Sequence, residues 1–391
     1  MKLLFLDWNS IGNEDIFDAV NDLNNEGYSI ELIKYPFDNH MKDENSFIHT
    51  FSRDLKEKKP DLVFSFNYWP AVSKACSAES VEYASWVYDN PSVNLFSYTL
   101  INSCNRVYLF DSAVYDFFSS RGIKTVRYLP LAAAVRRYDS INVTEEDRKK
   151  WGGRVSFVGG MYTEDHNYYD RIVSSLSDHS RGYLEALMAF QMEIDGANFI
   201  EKLLPETVID EMASTLKLEP GPEGVETREY LYANYVVNRK ITSLERSAII
   251  SEAGERFGIN LYTRDKVFSP AGVNNRGRID YYNDMPLVFK TSDINLNITL
   301  RSIEKGIPLR ALDIMGCGGF LLTNYQEDML RFFEPGEDFV YYESRQDLMD
   351  KIGYYLENPE ERKRIAKNGH DKVKQGFSYK ERLREILENV S

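Results

Sequence analysis

Between Ser292 and Gln326 the chain reads SDINLNITLRSIEKGIPLRALDIMGCGGFLLTNYQ. Arg301 and Arg310 supply permanent positive charge in a planar fork that matches phosphate oxygens. Asp313 offers a carboxylate to hydroxyl groups, and Asn297 a side-chain amide. Gly318 and Gly319 expose backbone N–H groups that can meet an anion closely. Arginines for a diphosphate, a carboxylate for ribose hydroxyls and glycine amides for phosphate oxygens together suit a nucleotide sugar. Upstream, Gly159 and Gly160 close the run VSFVGG, where the backbone must come near something. Arg264 and Lys266 could face the same diphosphate.

Two carboxylates are candidates for work on an acceptor hydroxyl, as a base that takes its proton. Asp15 lies in SIGNED, and Asp89 in WVYDNP ahead of Asn90, which the following proline pushes out of helix. The plainer role for the first segment is helix initiation, with Asn13 as cap and Glu14 and Asp15 complementing the dipole. His166 is a lone loop histidine and a further acid–base candidate. No Asp-x-Asp occurs, so no metal and no cofactor are expected beside the nucleotide donor. Walker A and H-E-x-x-H patterns are also missing, and Gly159-Gly160 is not the G-x-G-x-x-G of an NAD site.

These groups act together only if regular elements gather them. Ile294, Leu296 and Ile298 alternate with polar residues as in a strand, and Pro308 suits the first turn of a helix carrying Leu309, Leu312 and Met315. Gly316 is expected to end that helix in the left-handed conformation. Strand and helix signals alternate along the first ~135 residues and again from Arg154, which predicts parallel, doubly wound sheets. The expected organisation is an N-terminal Rossmann-like, acceptor-side domain over 1–150 and a C-terminal donor-binding one over 151–375. A helical insertion at about 168–239 interrupts the second, with apolar stripes at Leu184, Leu187, Met188 and Phe190–Met192. The final helix, 376–391, should pack back on the N-terminal domain. Ligands of such sheets bind at the carboxyl ends of the strands, here in a crevice between the domains.

At 391 residues the chain suits two domains, and a formal net charge of -14 argues against nucleic-acid partners. No apolar run approaches the ~20 residues of a membrane span, and the start MKLLFLDWNS reads as a strand rather than a secretory signal. Three scattered cysteines suit reduced thiols and a cytoplasmic protein.

With FLDWNSIGNEDI, SWVYDNP, YLPLAAA, VSFVGGMY, the Ser292–Asn324 stretch and DFVYYESRQDLMDKIGYYLENPEERKRIAKNG, the chain resembles the GT-B glycosyltransferases, and among them the CgeB-like (spore-maturation-protein-like) family. The resemblance implies an α/β GT-B fold, two Rossmann-like domains facing a central crevice with a helical insertion in the second. It implies transfer of a sugar from a nucleotide diphosphate, a UDP-sugar first, to a hydroxyl of a protein, glycan or small molecule. In similar enzymes Glu is usual where Asp313 stands, an earlier acid falls at Lys305 beside Glu304, and a His often stands at the place of Asp89. A basic pair that commonly follows Gly160 is missing, with Arg301, Arg310 or Arg264 as substitutes. A sugar-nucleotide epimerase of the same fold and a non-catalytic GT-B-like scaffold remain alternatives. The insertion offers a surface for an acceptor or for a second copy of the chain.

Overall fold

Leu3, Leu4, Phe5 and Leu6 are each fully buried. A strand without polar alternation is covered on both faces, which is the signature of a parallel sheet between helices. The computed structural model describes residues 1–40, 43–163, 167–221 and 223–389. Its strands are β1 (Lys2–Asp7), β2 (Glu31–Pro36), β3 (Leu62–Phe66), β4 (Glu82–Val87), β5 (Asn105–Leu109) and β6 (Val126–Tyr128), then β7 (Gly153–Val158), β8 (Ile259–Tyr262), β9 (Val273–Asn275), β10 (Ser292–Asn297), β11 (Leu321–Asn324) and β12 (Val340–Tyr342). They form two six-stranded sheets, ordered β2-β1-β3-β4-β5-β6 and β12-β11-β10-β7-β8-β9. Every pairing is parallel. Parallel neighbours need crossovers, so each connecting helix starts near the carboxyl edge of a sheet and returns to its amino edge.

The chain divides into two compact units, one of residues 1–134, 221–226 and 376–391, the other of 135–220 and 227–375. The sequence placed the boundary at 150. Residues 135–151 instead carry helices Val135–Ser140 and Glu145–Trp151, which pack within the second unit. Their charged surface reads as a connection, but Tyr138 is fully buried and Trp151 nearly so. Within the first unit the last helix, Tyr379–Glu388, packs along Asn13–Asn25. Lys380 and Arg384 pair there with Glu26.

Between β7 and β8 the chain forms helices Tyr168–Ile172, Asp178–Met192, Ile200–Leu203, Glu206–Thr215 and Arg228–Tyr232, and a π turn, Ala233–Val237, leads into the long helix Asn238–Phe257. Leu184, Leu187 and Met188 face a core shared with Ile200, Ile209, Met212 and Tyr232. Phe190, read as part of the same stripe, is exposed. Gln191 takes the next inward position and donates to the carbonyls of Ile194 and Ala197. Among the described residues no helix is long and apolar enough to cross a membrane.

Candidate functional site

In the second unit, β7 ends at Gly159-Gly160 beside the end of β10. The Gly159 N–H extends the ladder to the Tyr262 carbonyl at 2.9 Å. A Cβ built at Gly159 would stand 2.6 Å from Arg310 Nη1, so this glycine leaves room for a guanidinium. The Gly160 carbonyl accepts from Arg246 Nη1 at 2.6 Å. Arg246 also donates through Nε to the Ile298 carbonyl at 3.1 Å, tying the carboxyl ends of β7 and β10 together. Its guanidinium lies 4.9 Å from the ring centre of Tyr162, a residue held at φ 55°. Arg239 approaches the same ring at 5.9 Å.

Arg310 sits in the first turn of the helix Leu309–Gly316. Its Nε is buried without a hydrogen-bond partner, and among the described residues no carboxylate forms an ion pair with it. Burial, then the nearby Arg246 charge, pull its pKa down from the ordinary value to about 10, so it remains cationic at neutral pH. Arg239 Nε is likewise buried and unpartnered. The guanidinium groups of Arg310, Arg246 and Arg239 thus concentrate positive charge near the ends of these strands, with the Nε atoms of Arg310 and Arg239 unspent. Among the described residues no group of three His, Cys, Asp or Glu side chains is placed to hold a metal ion.

Arg301 does not belong to that cluster. Its Nε donates to both Glu245 oxygens at 2.9 and 2.8 Å, and its Nη2 also bonds Glu245. Nη1 pairs with Asp195 at 2.9 Å and donates to the Ile194 carbonyl at 2.7 Å. Its donors are therefore committed to the helical segment, and these carboxylates hold its pKa above the ordinary value despite burial. Asn297 is also spent: its amide donates to Thr299 Oγ1 at 3.0 Å and Thr323 Oγ1 at 2.9 Å, inside the sheet.

Gly318 and Gly319 lie elsewhere. The helix that begins beside Arg310 carries the chain back to the amino edge of β11, so its end is remote from the strand tips. Gly316 stays helical; the left-handed residue is Gly318, at φ 75°. Gly318 N–H bonds the Met315 carbonyl and Gly319 N–H that of Ile314, each at 2.9 Å. This is a Schellman ending, which occupies the two amides expected to meet phosphate. A Cβ at Gly319 would stand 2.6 Å from the Phe289 carbonyl, so close helix packing requires the glycine.

Asp313 lies one turn beyond Arg310 and is buried. It accepts from Tyr138 Oη at 2.6 Å and from Tyr281 Oη at 3.2 Å. Burial pushes its pKa up to about 6, against the lowering effect of the Tyr138 bond and of Arg310 and Arg137. Arg264 and Lys266 are exposed, and His166 lies outside the described residues.

In the first unit, Asp89 follows β4 and accepts from Asn67 Nδ2 at 2.7 Å, while Asn67 Oδ1 receives the Tyr88 and Asp89 N–H groups. Asn67 itself has φ 58°, a costly conformation fixed by these bonds. Asp15 is buried in the first turn of Asn13–Asn25. The N-cap of that helix is Gly12 rather than Asn13, whose side chain donates instead to Asp7 Oδ1 at 2.6 Å. A Cβ at Gly12 would stand 2.6 Å from Tyr379 Oη, so the last helix seats against this loop.

Sequence reasoning missed Arg246 and Arg239. A signal was present: Thr242, Ile249, Ile250 and Ala253 mark the buried face of Asn238–Phe257, and Arg246 falls on it.

The architecture has close counterparts among solved structures. A glycosyltransferase from Rickettsia africae superposes with TM-score 0.56 at 13% identity, covering 99% of this chain and 97% of that one. Anabaena HepE, in complex with UDP-glucose, gives 0.55 at 14%, covering 99% and 98%. The sucrose-phosphate synthase of Thermosynechococcus elongatus gives 0.52 at 10%, covering 99% and 98%. The fold is GT-B. Residues 245–388 also match a family model described as glycosyl transferase-like. That stretch holds Arg246, Arg310 and Asp313 of this GT-B chain. None of the curated proteins compared with it matches significantly.

Proposed function

We propose that the protein is a glycosyltransferase that binds the diphosphate of a nucleotide sugar at Arg310, with Gly159 giving the guanidinium its room and Arg246 and Arg239 adding positive field. The observation that carries this is the half-buried Arg310 side chain, whose Nε is buried and unpartnered. A desolvated cation without a counter-ion is unfavourable, and a diphosphate relieves it with charge-assisted hydrogen bonds. Support also comes from the glycosyl transferase-like match over 245–388 and from the UDP-glucose bound by Anabaena HepE, which favours a UDP-sugar donor. The CgeB-like resemblance points the same way.

In the transfer, the bond from the sugar C1 to the β-phosphate oxygen breaks and the leaving diphosphate keeps the electron pair. The acceptor hydroxyl oxygen bonds C1 and gives up its proton to a carboxylate of the protein. Arginine cations stabilise the leaving group in place of a metal ion. Asp89 is our candidate to meet the acceptor, with Asp15 second because its helix-turn position already accounts for its charge. We place the reaction in the cytoplasm, in keeping with three buried free cysteines.

The test is product analysis with UDP-sugars and an acceptor panel in excess chelator. A sugar covalently attached to an acceptor, with free UDP released, is expected. An epimerised UDP-sugar formed without acceptor would establish the epimerase instead. Strict dependence on added manganese or magnesium would contradict the arginine-based account.

A further inference from the structure

In the first unit, between β4 and β5, the chain makes two 3₁₀ turns, Val93–Phe96 and Tyr98–Ile101. Residues three apart in such a turn share one face. Thr99 and Leu100 are buried, while Tyr98 and Ile101 stand out together, 55% and 64% exposed. The turn is fixed from beneath. Asn105 Nδ2 donates to the Thr99 carbonyl at 2.8 Å and to the Leu100 carbonyl at 3.2 Å, and Thr125 Oγ1 donates to the Leu100 carbonyl at 2.6 Å. Tyr68 Oη and Thr99 Oγ1 share a hydrogen bond of 2.8 Å. A buried polar network thus holds two large side chains out in water, which a loose loop would not do. The surroundings extend the patch. Phe96 packs on Phe117 with ring centres 5.8 Å apart, and Phe117, on the helix Ser112–Ser119, is itself exposed. Residues 223–226 lie alongside: the Val225 N–H bonds the Phe96 carbonyl at 2.8 Å, and Val225 is 67% exposed. A contiguous exposed apolar surface marks a docking place for a protein or a membrane.

Charge selects between these partners. The chain has a formal net charge of -14, yet residues 97–128 carry Arg106, Arg121, Lys124 and Arg127 against Asp111 and Asp116. Asp111 is buried and caps the helix Ser112–Ser119, and Arg106 pairs with Glu82 at 3.1 Å. Arg121 and Lys124 are exposed. The Arg121 guanidinium lies 3.6 Å from the ring centre of Phe117, and Lys124 precedes the Thr125 that bonds the turn ending in Ile101. Glu223, which accepts from Tyr98 Oη at 3.2 Å, is paired with Lys74. An apolar surface with a tyrosine and long cationic side chains at its rim matches a headgroup layer, where the cations meet phosphate and the apolar groups leave water. A two-fold dimer through this face would instead bring Arg121 and Lys124 toward their own copies. The acidic remainder of the chain is repelled by an anionic surface, which turns this face toward it. We propose that this face of the first unit docks peripherally on an anionic lipid surface, with Tyr98, Ile101 and Val225 entering the headgroup layer and Arg121 and Lys124 meeting lipid phosphates. Lipid docking here requires nothing of the nucleotide-sugar reading.

Co-sedimentation of the full chain with vesicles tests this, with thermal unfolding as a fold control. At low salt, wild type should bind phosphatidylcholine vesicles that contain phosphatidylglycerol far better than vesicles of phosphatidylcholine alone, and added salt should release it. Ile101→Ser combined with Val225→Ser should weaken binding about ten-fold, and Arg121→Glu combined with Lys124→Glu at least about ten-fold. Wild type that stays in solution beside the mixed vesicles, equal binding to both kinds of vesicle, or binding unchanged in both double variants overturns lipid docking. A dimer seen by sedimentation velocity and lost in Ile101→Ser with Val225→Ser, without vesicle binding, overturns it in favour of a second copy of the chain. Should the variants not fold, hydrogen exchange on wild type decides: amides of 93–101 and 223–226 slowed by the anionic vesicles support the surface, and slowing elsewhere alone, or nowhere, overturns it.

Discussion

Arg301 and Arg310 stand at the two ends of one loop and look interchangeable in sequence. In the structure they are opposites. Arg301 spends its donors on Glu245, Asp195 and two backbone carbonyls, and so locks the helical segment onto the end of β10. Arg310 is half-buried with Nε unpartnered, and its Nη1 lies in space that Gly159 leaves open. One arginine has its donors paired within the fold; the other keeps a buried donor unspent. What separates a structural from a binding arginine is which of its donors the fold has already used.

Removing each should break the molecule in a different way. Arg301→Ala strands the Glu245 and Asp195 carboxylates in a mostly buried place and should cost roughly 3–5 kcal/mol of stability, the range for breaking a buried pair from one side. Arg310→Ala removes a cation with no counter-ion and should leave stability within about 1 kcal/mol of wild type, or raise it. Chemical denaturation of both variants checks this. Equal destabilisation would erase the distinction.

Asp313 sharpens the same contrast, because it is the carboxylate best placed to neutralise Arg310. Burial outweighs the attraction of Arg310 and holds the Asp313 pKa at about 6, above the ordinary 3.8. Below pH 3.8 the carboxyl is protonated in folded and unfolded chains alike and contributes nothing. Between 3.8 and about 6 only the folded chain keeps the proton, so stability falls as pH rises, reaching a cost of ~3 kcal/mol above that window. Asp313→Asn lacks this slope. The stability of the variant relative to wild type should therefore grow between pH 4 and 6 and then level off. A difference that shrinks over that range would show that the fold favours the charged form of Asp313.

Gly159→Ala gives the smallest effect. The new methyl would displace the far end of Arg310, so nucleotide affinity should fall several-fold, on the order of 1 kcal/mol, with stability nearly unchanged. Wild-type affinity in this variant would mean that Arg310 binds from another position.

Much of the fold was legible because strands buried on both faces leave largely apolar runs, so strand and helix signals alternate visibly along the first ~135 residues and again from Arg154. β9 was missed, since Val273–Asn275 carries no apolar pattern. The site was legible only in part. Adjacency in sequence suggested that Arg310 and Gly318-Gly319 share one edge, whereas the helix between them spans ~12 Å and delivers the glycines to the other edge. Which glycine turns left-handed could not be read either, because Gly316, Gly318 and Gly319 are all permitted there. Arg246 reaches Gly160 across 86 residues, a proximity that only the long helix creates.

In the proposed mechanism Arg310 binds the diphosphate and Arg301 does not. Calorimetric titration of UDP into wild type and Arg310→Ala tests it most directly, with Arg301→Lys as the control that keeps the charge paired with Glu245. Arg310→Ala should weaken UDP binding by roughly 1.5–3 kcal/mol, about ten- to a hundred-fold, while Arg301→Lys binds as wild type does. UDP affinity untouched by the loss of Arg310 would contradict the account.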